Sequence, residues 1–232
     1  MPELPVFLAN ALEPRFARPA VVTEVDVLAP RLRRVRFEGP ALQGVSFRPG
    51  QEIEFRVSDR AFRHYTPASF DGDAGRLEVV FFTHGHGPGS AWSQTLERGH
   101  HVNVLGPGGR FGLRDARAHV LLGDETTIGL FACLARVVQG ELLGAVEVDP
   151  DGRDFPRLTD LPLAPVVRTA ARGDALARWL ESADLPERST TCIYLAGHTG
   201  SIVKLRTRLR RLGWPRASIR TKPYWADGKR GL

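Results

Sequence analysis

The chain has 232 residues, of which 42% are hydrophobic and 25% charged, so it is long enough to bury the core of one large domain or two small ones. This composition argues against disorder as the main state. The formal net charge is +6, carried almost wholly by arginine, which favours anionic partners such as phosphate groups, acidic ligands or nucleic acid.

The cysteines and the first residues bear on the cellular compartment. Cys133 and Cys192 lie far apart with no CxxC pair, so an iron–sulfur cluster or a structural zinc site is not expected, and two lone cysteines fit a reducing compartment. The stretch MPELPVFLANALEPRF lacks the basic start and apolar run of a signal peptide, and no stretch is long enough to span a membrane. We expect a cytoplasmic protein, monomeric or weakly dimeric, without a membrane or nucleic-acid partner.

Six short segments in the first half alternate apolar and polar residues and are separated by turns rich in proline and glycine. In chain order they read AVVTEVDVL, LRRVRFE, QEIEFRV, FRHYT, RLEVVFFTH and HHVNVL. Strands of this number and spacing predict a small antiparallel barrel. One helix, from about Ser90 to Glu97, follows the glycine-rich GHGPGS and ends before Gly99.

The second half changes to strands that alternate with helices. AHVLLGDETTIGLFACLARVV and TTCIYLAGHTGSIVKLRTRLRRLG each read as strand, turn and helix, ELLGAVEVD and APVVRTA as strands, and DALARWLES as a helix. This order predicts βαβ units and an open parallel sheet. We therefore expect a barrel domain over residues 1–115 and an α/β domain over residues 116–232.

Two segments of the first half could bind an anionic ligand. In FRHYTPASF a strand places Arg63 and Tyr65 on one face, either as an exposed strand that ends at Pro67 or as a docking strip for something flat and anionic. In THGHGPGSAW three glycines precede a helix start, whose N–H groups favour an anion. An ordinary glycine-rich hairpin with Ser90 as the helix cap explains the same residues, so neither segment alone establishes a ligand site.

Taken in order, the segments RPGQEIEF, RHYT, HGHGPGS and LGPGGRF resemble the flavin domain of the ferredoxin–NADP reductase superfamily. More narrowly, HGHGPGSAW, GDETT and KPYWADGKRG are similar to the siderophore-interacting proteins, the FAD-dependent ferric-siderophore reductases of bacteria. The resemblance implies a six-stranded antiparallel Greek-key barrel that binds FAD, followed by an open parallel-sheet α/β domain of the nicotinamide-binding type. The chain departs from that family at Pro67-Ala68-Ser69, where a further arginine is usual, and FMN stays an alternative to FAD.

The resemblance also implies roles for residues of the barrel domain. Arg63 would bind the FAD pyrophosphate, Tyr65 would pack on the flavin or its ribityl chain, and Thr66 would hydrogen-bond near the flavin N5. The remaining cofactor residues would be the pyrophosphate donors Gly85, Gly87, Gly89 and Ser90, with His84 at the edge of the pocket. No catalytic acid or base is expected beyond the flavin-positioning Thr66.

Asp124, Glu125 and Thr126 lie at the turn between the first strand and first helix of the α/β domain, the crevice where open α/β sheets usually bind nucleotides. The three are included among the expected cofactor-binding residues, with NADH or NADPH as co-substrate. Acids suit a pyrophosphate poorly, however, and helix capping is the competing role for the same residues.

The C-terminal tail RTKPYWADGKRG gathers aromatic and basic residues, which the resemblance places near the flavin edge. The expected substrate-binding residues there are Lys222, Tyr224, Trp225, Lys229 and Arg230. Their cations would attract a negatively charged ferric chelate by electrostatic steering. A terminal strand with an aromatic anchor and a basic end is the competing interpretation.

We therefore expect an FAD-dependent oxidoreductase, a flavoprotein that reduces ferric siderophores with electrons from NAD(P)H and so serves iron acquisition. A general NAD(P)H–flavin oxidoreductase and a flavin-binding sensor or interaction protein without turnover are the alternatives. A nucleic-acid module is the third class, but the arginine-rich SIVKLRTRLRRLG carries no recognised nucleic-acid motif and is expected to be a solvated face. The histidines at 84, 86, 100 and 101 lack metal-site spacing, so no metal is expected.

Overall fold

The structure of the protein, a computed structural model, describes residues 16–85 and 87–229. These residues form two compact units that divide between Gly112 and Leu113, whereas the sequence predicted a boundary after residue 115. Each unit has a hydrophobic core of its own.

The first unit is an antiparallel sheet that carries an α-helix between its sixth and seventh strands. Its elements are β1 (Arg18–Ala29), β2 (Leu32–Glu38), β3 (Glu52–Arg56), β4 (Phe62–Tyr65), β5 (Ser69–Asp71), β6 (Arg76–Phe82), α1 (Pro88–Thr95) and β7 (His101–Gly108). The seven strands pair in the order β4-β3-β7-β1-β2-β6-β5. The sheet therefore carries β4 at one outer edge, next to β3.

The core of the first unit follows from alternation along its strands. In β6, Leu77, Val79 and Phe81 are buried and the residues between them are half-buried. The ring of Phe81 lies 6.4 Å from that of Phe37 and 6.4 Å from that of Phe55, and the latter two rings are 5.0 Å apart. This aromatic cluster ties β2, β3 and β6 together and supports the strand that pairs with β4.

The antiparallel prediction for the first half is confirmed, and all six predicted strands are present. The seventh strand, β5, has three half-buried residues, too short a run to produce an alternation signal. Among the described residues no pairing joins the outer strands β4 and β5, so closure of the barrel is not seen in the strand pairings. Helix α1 begins at Pro88, ahead of the predicted Ser90, because proline suits the first helical position.

The second unit is a parallel sheet with helices, as predicted. Its elements are β8 (Ala118–Asp124), α2 (Ile128–Ala135), β9 (Glu141–Val148), α3 (Phe155–Leu158), β10 (Ala164–Val167), α4 (Asp174–Ser182), β11 (Thr191–His198), α5 (Thr199–Arg211) and β12 (Ile219–Trp225). The strands are all parallel and lie in the order β10-β9-β8-β11-β12.

The strand order of the second unit defines a topological switch point. Every residue of the central strands β8 and β11 is buried. From β8 the chain proceeds outward to β9 and β10, and then returns to β11 and β12 on the other side. The switch point therefore lies at the carboxyl ends of β8 and β11, where open α/β sheets bind ligands. Asp124 ends β8 and His198 ends β11 at this edge.

Helix α5 packs on this sheet by the apolar face that its sequence predicts. Ile202, Leu205 and Leu209 are buried, and Leu212 is half-buried. Elsewhere on the helix, the Arg208 guanidinium pairs with a carboxylate of α4 at 2.6 Å. Within residues 16–85 and 87–229, none of the helices has both the length and the apolar composition that crossing a bilayer requires.

Candidate functional site

The two ligand-binding segments predicted in the first unit meet at Gly89. A Cβ atom at Gly89 would lie 2.6 Å from the Tyr65 hydroxyl oxygen and 3.3 Å from Arg63 Cγ. A side chain there would force a shift, so only glycine lets the first turn of α1 approach strand β4 this closely. The Arg63–Tyr65 strip and the glycine-rich helix start, which are separate in the sequence, thus form one surface.

Tyr65 is a firmly packed member of this surface. Its ring contacts Phe81 edge-on at 4.8 Å and lies 6.0 Å from the ring of Phe55. Burial raises the pKa of Tyr65 to about 12, against the opposing charge of Arg63. The phenol is therefore protonated at neutral pH and offers its O–H as a hydrogen-bond donor.

Arg63 is half-buried beside the tyrosine. Its Nη1 donates to the carbonyl of Phe62 at 2.7 Å, which uses one of the five N–H donors of a guanidinium. This contact holds the side chain along the strand. A guanidinium in such a position is the best bidentate partner for phosphate oxygens.

The glycine-rich segment leaves open space at the start of α1. A Cβ atom at Gly85 or at Gly87 would meet no heavy atom within 4 Å, and Gly85 has a φ of +58° that favours glycine. Gly87 is the N-cap residue and has no side chain with which to cap the first N–H groups of the helix. An anion could therefore approach these N–H groups directly.

Ser90 uses its hydroxyl to order this segment. The hydroxyl donates to the His84 carbonyl at 2.9 Å and accepts from the His84 N–H at 3.1 Å, closing the loop that precedes α1. The exposed His84 ring stacks on Phe82 at 5.9 Å. Thr66 is buried, 5% exposed, immediately after the Arg63–Tyr65 strip. The structure thus brings these residues to one region, while their contacts to a cofactor stay predictions.

Asp124 is locked inside the second unit at the carboxyl edge of its sheet. It is 4% exposed, and its Oδ1 accepts hydrogen bonds from the N–H and the hydroxyl of Thr126, the former at 3.0 Å. Its Oδ2 accepts from the His198 N–H at 2.8 Å and from the Trp225 indole N–H at 3.1 Å. This internal carboxylate therefore already accepts from the Thr126 N–H of the turn.

Glu125 belongs to the carboxylate cluster of the buried Glu125 and Glu147 and the half-buried Asp149 around Arg168. Arg168 pairs with Glu125, with Asp149 at 2.6 Å and with Glu147 at 3.7 Å. Burial raises the pKa of Glu125, and the charge of Arg168 opposes that rise. Arg168 and Glu147 were not predicted from the sequence, because a single arginine and a single glutamate carry no motif.

The carboxyl edge therefore has an excess of negative charge. Asp124 and Glu125 were expected to touch a cofactor, with helix capping as the competing role, and their contacts here are with the protein itself. Asp124 accepts from Thr126 in the manner of a helix cap. A pyrophosphate placed directly against this turn would be repelled by the two carboxylates.

Trp225, at the end of β12, lies beside this edge in contact with the side chains of Arg172 and His198. Arg172 lies 4.7 Å above its ring, and the His198 ring is 4.5 Å away at 38°. Thr199 donates its hydroxyl to the Trp225 carbonyl at 2.9 Å. Neither Arg172 nor His198 was predicted from the sequence. His198 was detectable, since it follows a predicted buried strand parallel to the one that ends at Asp124.

The remaining tail residues differ in exposure. Lys222 is only 8% exposed, with its Nζ 6.0 Å from the centroid of the Tyr224 ring, so its charge lies within the fold. Tyr224 is half-buried and Lys229 is exposed. Arg230, the last predicted substrate residue, lies outside the described residues, as does His86. Within the described ranges, no three His, Cys, Asp or Glu side chains are grouped as a metal ion requires.

Comparison with known proteins agrees with both units. Residues 51–111 match the family "Siderophore-interacting FAD-binding domain", and residues 116–228 match the family "Siderophore-interacting protein". Among curated relatives, the mycobactin import ATP-binding/permease protein IrtA of Mycolicibacterium thermoresistibile is 28% identical over 229 residues. That match covers 90% of this chain but only 25% of the relative, so the chain spans about a quarter of that protein's length.

Solved structures show the same fold. A siderophore utilization protein from T. fusca aligns with a TM-score of 0.79 at 24% identity, over 93% of this chain and 95% of the other. Phthalate dioxygenase reductase aligns with a TM-score of 0.76 at 15% identity, over 93% of this chain and 70% of that one. With two siderophore-interacting family models matched in order on a ferredoxin reductase-like fold, the chain belongs to the siderophore-interacting protein family.

Proposed function

We propose that the protein is a flavin-dependent reductase that releases iron from ferric siderophores. The observation that carries the proposal is the contact of Gly89, at the start of α1, with the Arg63–Tyr65 strip. A guanidinium and the N–H groups of a helix start are the donors that a pyrophosphate needs, and they meet inside the domain that matches an FAD-binding family. Bound FAD would supply the redox chemistry, taking two electrons from a nicotinamide and giving single electrons to iron.

The residues of the first unit would bind and orient this cofactor. Arg63 and the N–H groups of the α1 start would hold the pyrophosphate, because Gly85 and Gly87 leave the approach open. Tyr65, protonated at neutral pH, would donate its O–H and offer its ring edge to the flavin or ribityl chain. Thr66 would position the ring at N5. FMN, which lacks the pyrophosphate, would leave the donors at the helix start with less to bind.

NADH or NADPH is the electron donor that we propose for the reaction. Support comes from the fold shared with phthalate dioxygenase reductase, whose structure is described as transferring electrons from pyridine nucleotides to a [2Fe-2S] group. Because Asp124 and Glu125 are internal anions, the nucleotide would bind with its pyrophosphate away from their turn. The acids thereby limit where a nucleotide can lie without excluding it from the unit.

A ferric siderophore is the proposed substrate, supported by the family and by a curated relative named for mycobactin import. Tyr224 and Trp225 would contact the chelate, and Lys229, which is exposed, would attract it. Arg230 would add its positive charge, and the buried Lys222 would contribute its charge from within the fold. Hard oxygen ligands hold Fe²⁺ less tightly than Fe³⁺, so reduction would release the metal.

Anaerobic visible spectroscopy tests this function. We expect the flavin spectrum of the FAD-loaded protein to bleach with NADH or NADPH and to return when a ferric siderophore is added. A spectrum that bleaches and returns with free flavin but not with the chelate would replace the proposal with a general NAD(P)H–flavin oxidoreductase. A flavin that stays oxidised with either nucleotide would instead favour a flavin-binding sensor, the candidate that the acidic carboxyl edge supports.

A further inference from the structure

We infer that Asp124 is a positioning residue for Trp225, which it holds through the indole N–H. The two residues lie at the carboxyl ends of β8 and β12, on either side of β11. Asp124 Oδ2 and Trp225 Nε1 are 3.1 Å apart. The functional meaning of the contact rests on the proposed function, in which Trp225 contacts the chelate, while its existence can be tested separately.

The Asp124 carboxylate has a fixed orientation. Thr126 donates both its N–H and its hydroxyl to Oδ1, and the His198 N–H donates to Oδ2. Gly197, with a φ of +94°, packs so close that a Cβ atom there would lie 2.6 Å from Oδ2. These contacts with Thr126, His198 and Gly197 therefore fix the orientation of Oδ2 toward the indole. A hydrogen bond to a buried, ionised acceptor is about twice as strong as a neutral one.

The contacts of Trp225 with Arg172, His198 and Thr199 leave one freedom that Asp124 removes. Arg172 and His198 lie against the ring, and contacts of this kind limit its tilt but not a half-turn flip about the Cβ–Cγ bond, which exchanges its edges. Thr199 binds the backbone carbonyl and does not touch the ring. The indole N–H bond fixes which edge of the ring points into the protein. Trp225 as a whole is half-buried, and the edge opposite the N–H is thereby held in one orientation.

This arrangement gives the buried acid of GDETT a purpose other than nucleotide binding. Asp124 links the turn after β8, the start of α5 at His198 and the C-terminal aromatic residue through one carboxylate. Loss of the acceptor would let the ring flip about its Cβ–Cγ bond while Arg172 and His198 remain beside it. We expect the KM for ferric chelate to rise and kcat to change little, because Trp225 acts in binding.

The test compares Asp124→Asn, Trp225→Phe and the double variant. Asparagine has the shape of aspartate, but its NH₂ group replaces one of the two acceptor oxygens. On that side it would face the donors that now bond to the carboxylate. We expect the KM for a ferric siderophore to rise roughly three- to tenfold in D124N, within the range of one lost hydrogen bond. If Asp124 acts through Trp225, the double variant will have the KM of W225F alone. D184N, at an exposed acid of the same unit, is the matched control and should leave KM unchanged.

Two spectroscopic readouts do not depend on activity. The chain has 4 tryptophans, and W225F identifies the Trp225 indole N–H resonance. We expect that resonance to move upfield in D124N more than the other three. In the wild-type protein its exchange with solvent should be at least tenfold slower than that of half-buried Trp179, whose indole nitrogen bonds to none of the described residues. The exchange measurement uses the wild-type protein, so it tests the inference even if D124N fails to fold.

The inference would be overturned by any of three results: a Trp225 resonance that does not move in D124N, exchange as fast as at Trp179, or additive KM effects in the double variant. If the wild-type protein does not reduce ferric chelates at all, the proposed function fails. In that event the resonance and exchange data still show whether Asp124 holds Trp225. The two failures are therefore distinguishable.

Discussion

The two units carry helix starts that treat an anion in opposite ways. At the start of α1, glycines leave the first N–H groups uncapped by any side chain and Arg63 stands beside them. At the carboxyl edge of the second unit, the protein's own Asp124 accepts from the N–H of Thr126, in the turn that leads into α2, and from the N–H of His198. Glu125, the next residue, is paired with Arg168. The N-terminal turn of a helix is thus open to a ligand at α1 and capped by the chain's own carboxylate at the turn after β8.

The difference teaches that a strand–turn–helix motif does not by itself make a phosphate site. A helix N-terminus is available to a phosphate when no side chain of the same chain already accepts from its N–H groups. In the first unit the hydroxyl of Ser90 turns back to His84. In the second unit the buried acids need a buried cation, and Arg168 supplies it.

The largest expected effect comes from removing that cation. Arg168→Met removes the cation from the buried Glu125 and Glu147 and the half-buried Asp149, so the free energy of unfolding should fall by about 3–5 kcal/mol. Urea denaturation measures it. The control is Arg157→Met, which breaks an exposed ion pair and should cost under about 0.5 kcal/mol. Equal losses in both variants would mean that the carboxylate cluster does not depend on Arg168.

The open anion site should lose its ligand when its guanidinium is removed. Arg63→Gln is expected to raise the Kd for FAD about 10- to 100-fold, because charge-assisted hydrogen bonds contribute about 1.5–3 kcal/mol and about 1.4 kcal/mol is tenfold. Quenching of flavin fluorescence measures the Kd. Arg60→Gln, at an exposed arginine of the preceding loop, is the matched control. An unchanged Kd in R63Q would remove Arg63 from the cofactor site.

The contact at Gly89 can be broken by a single methyl group. Gly89→Ala places a Cβ atom 2.6 Å from the Tyr65 hydroxyl, so the unfolding free energy should fall by about 1–3 kcal/mol. Gly87→Ala meets no neighbouring atom at a φ of −67°, and should be neutral within about 0.5 kcal/mol. Thermal denaturation of the two variants compares them directly. A harmless G89A would show that helix α1 does not depend on this close approach.

The smallest effect is a pH dependence that arises in the second unit. Burial lowers the pKa of His119, so the unfolded chain takes up the proton first, at about pH 6.5. Stability should therefore fall as the pH drops from about 6.5 toward the lowered pKa of the folded state, with a limiting slope of about 1.4 kcal/mol per pH unit. Urea midpoints at about pH 7.5 and pH 5 measure the slope.

His119→Gln should reduce that slope, whatever its effect at neutral pH. His101→Gln, at an exposed histidine, should leave the slope as it is in the wild-type protein. If both variants retain the full slope, another group is responsible for acid destabilisation.

Much of the fold was predictable because the two halves differ in hydrophobic period. Alternation with glycine and proline turns indicated the antiparallel strands, and continuous apolar runs such as that of β8 indicated the parallel ones. The short β5 was not predictable, since three half-buried residues give no period.

The candidate site was predictable only as far as its residues share a local motif. Arg63 and Tyr65 follow from strand alternation, but their contact with Gly89 joins segments that no spacing rule connects. Arg168 and Arg172 were missed because one arginine among 32 basic residues carries no pattern until the fold places it beside carboxylates or an indole ring.

The central claim is that the surface formed by the Arg63–Tyr65 strip and the α1 start holds FAD. The most direct measurement is the visible absorption spectrum of the wild-type protein after incubation with FAD and gel filtration, recorded beside the R63Q variant. The account predicts a flavin spectrum that stays with the wild-type protein and is weaker or absent in R63Q. A wild-type protein that emerges colourless, or an R63Q variant that retains as much flavin, would contradict it.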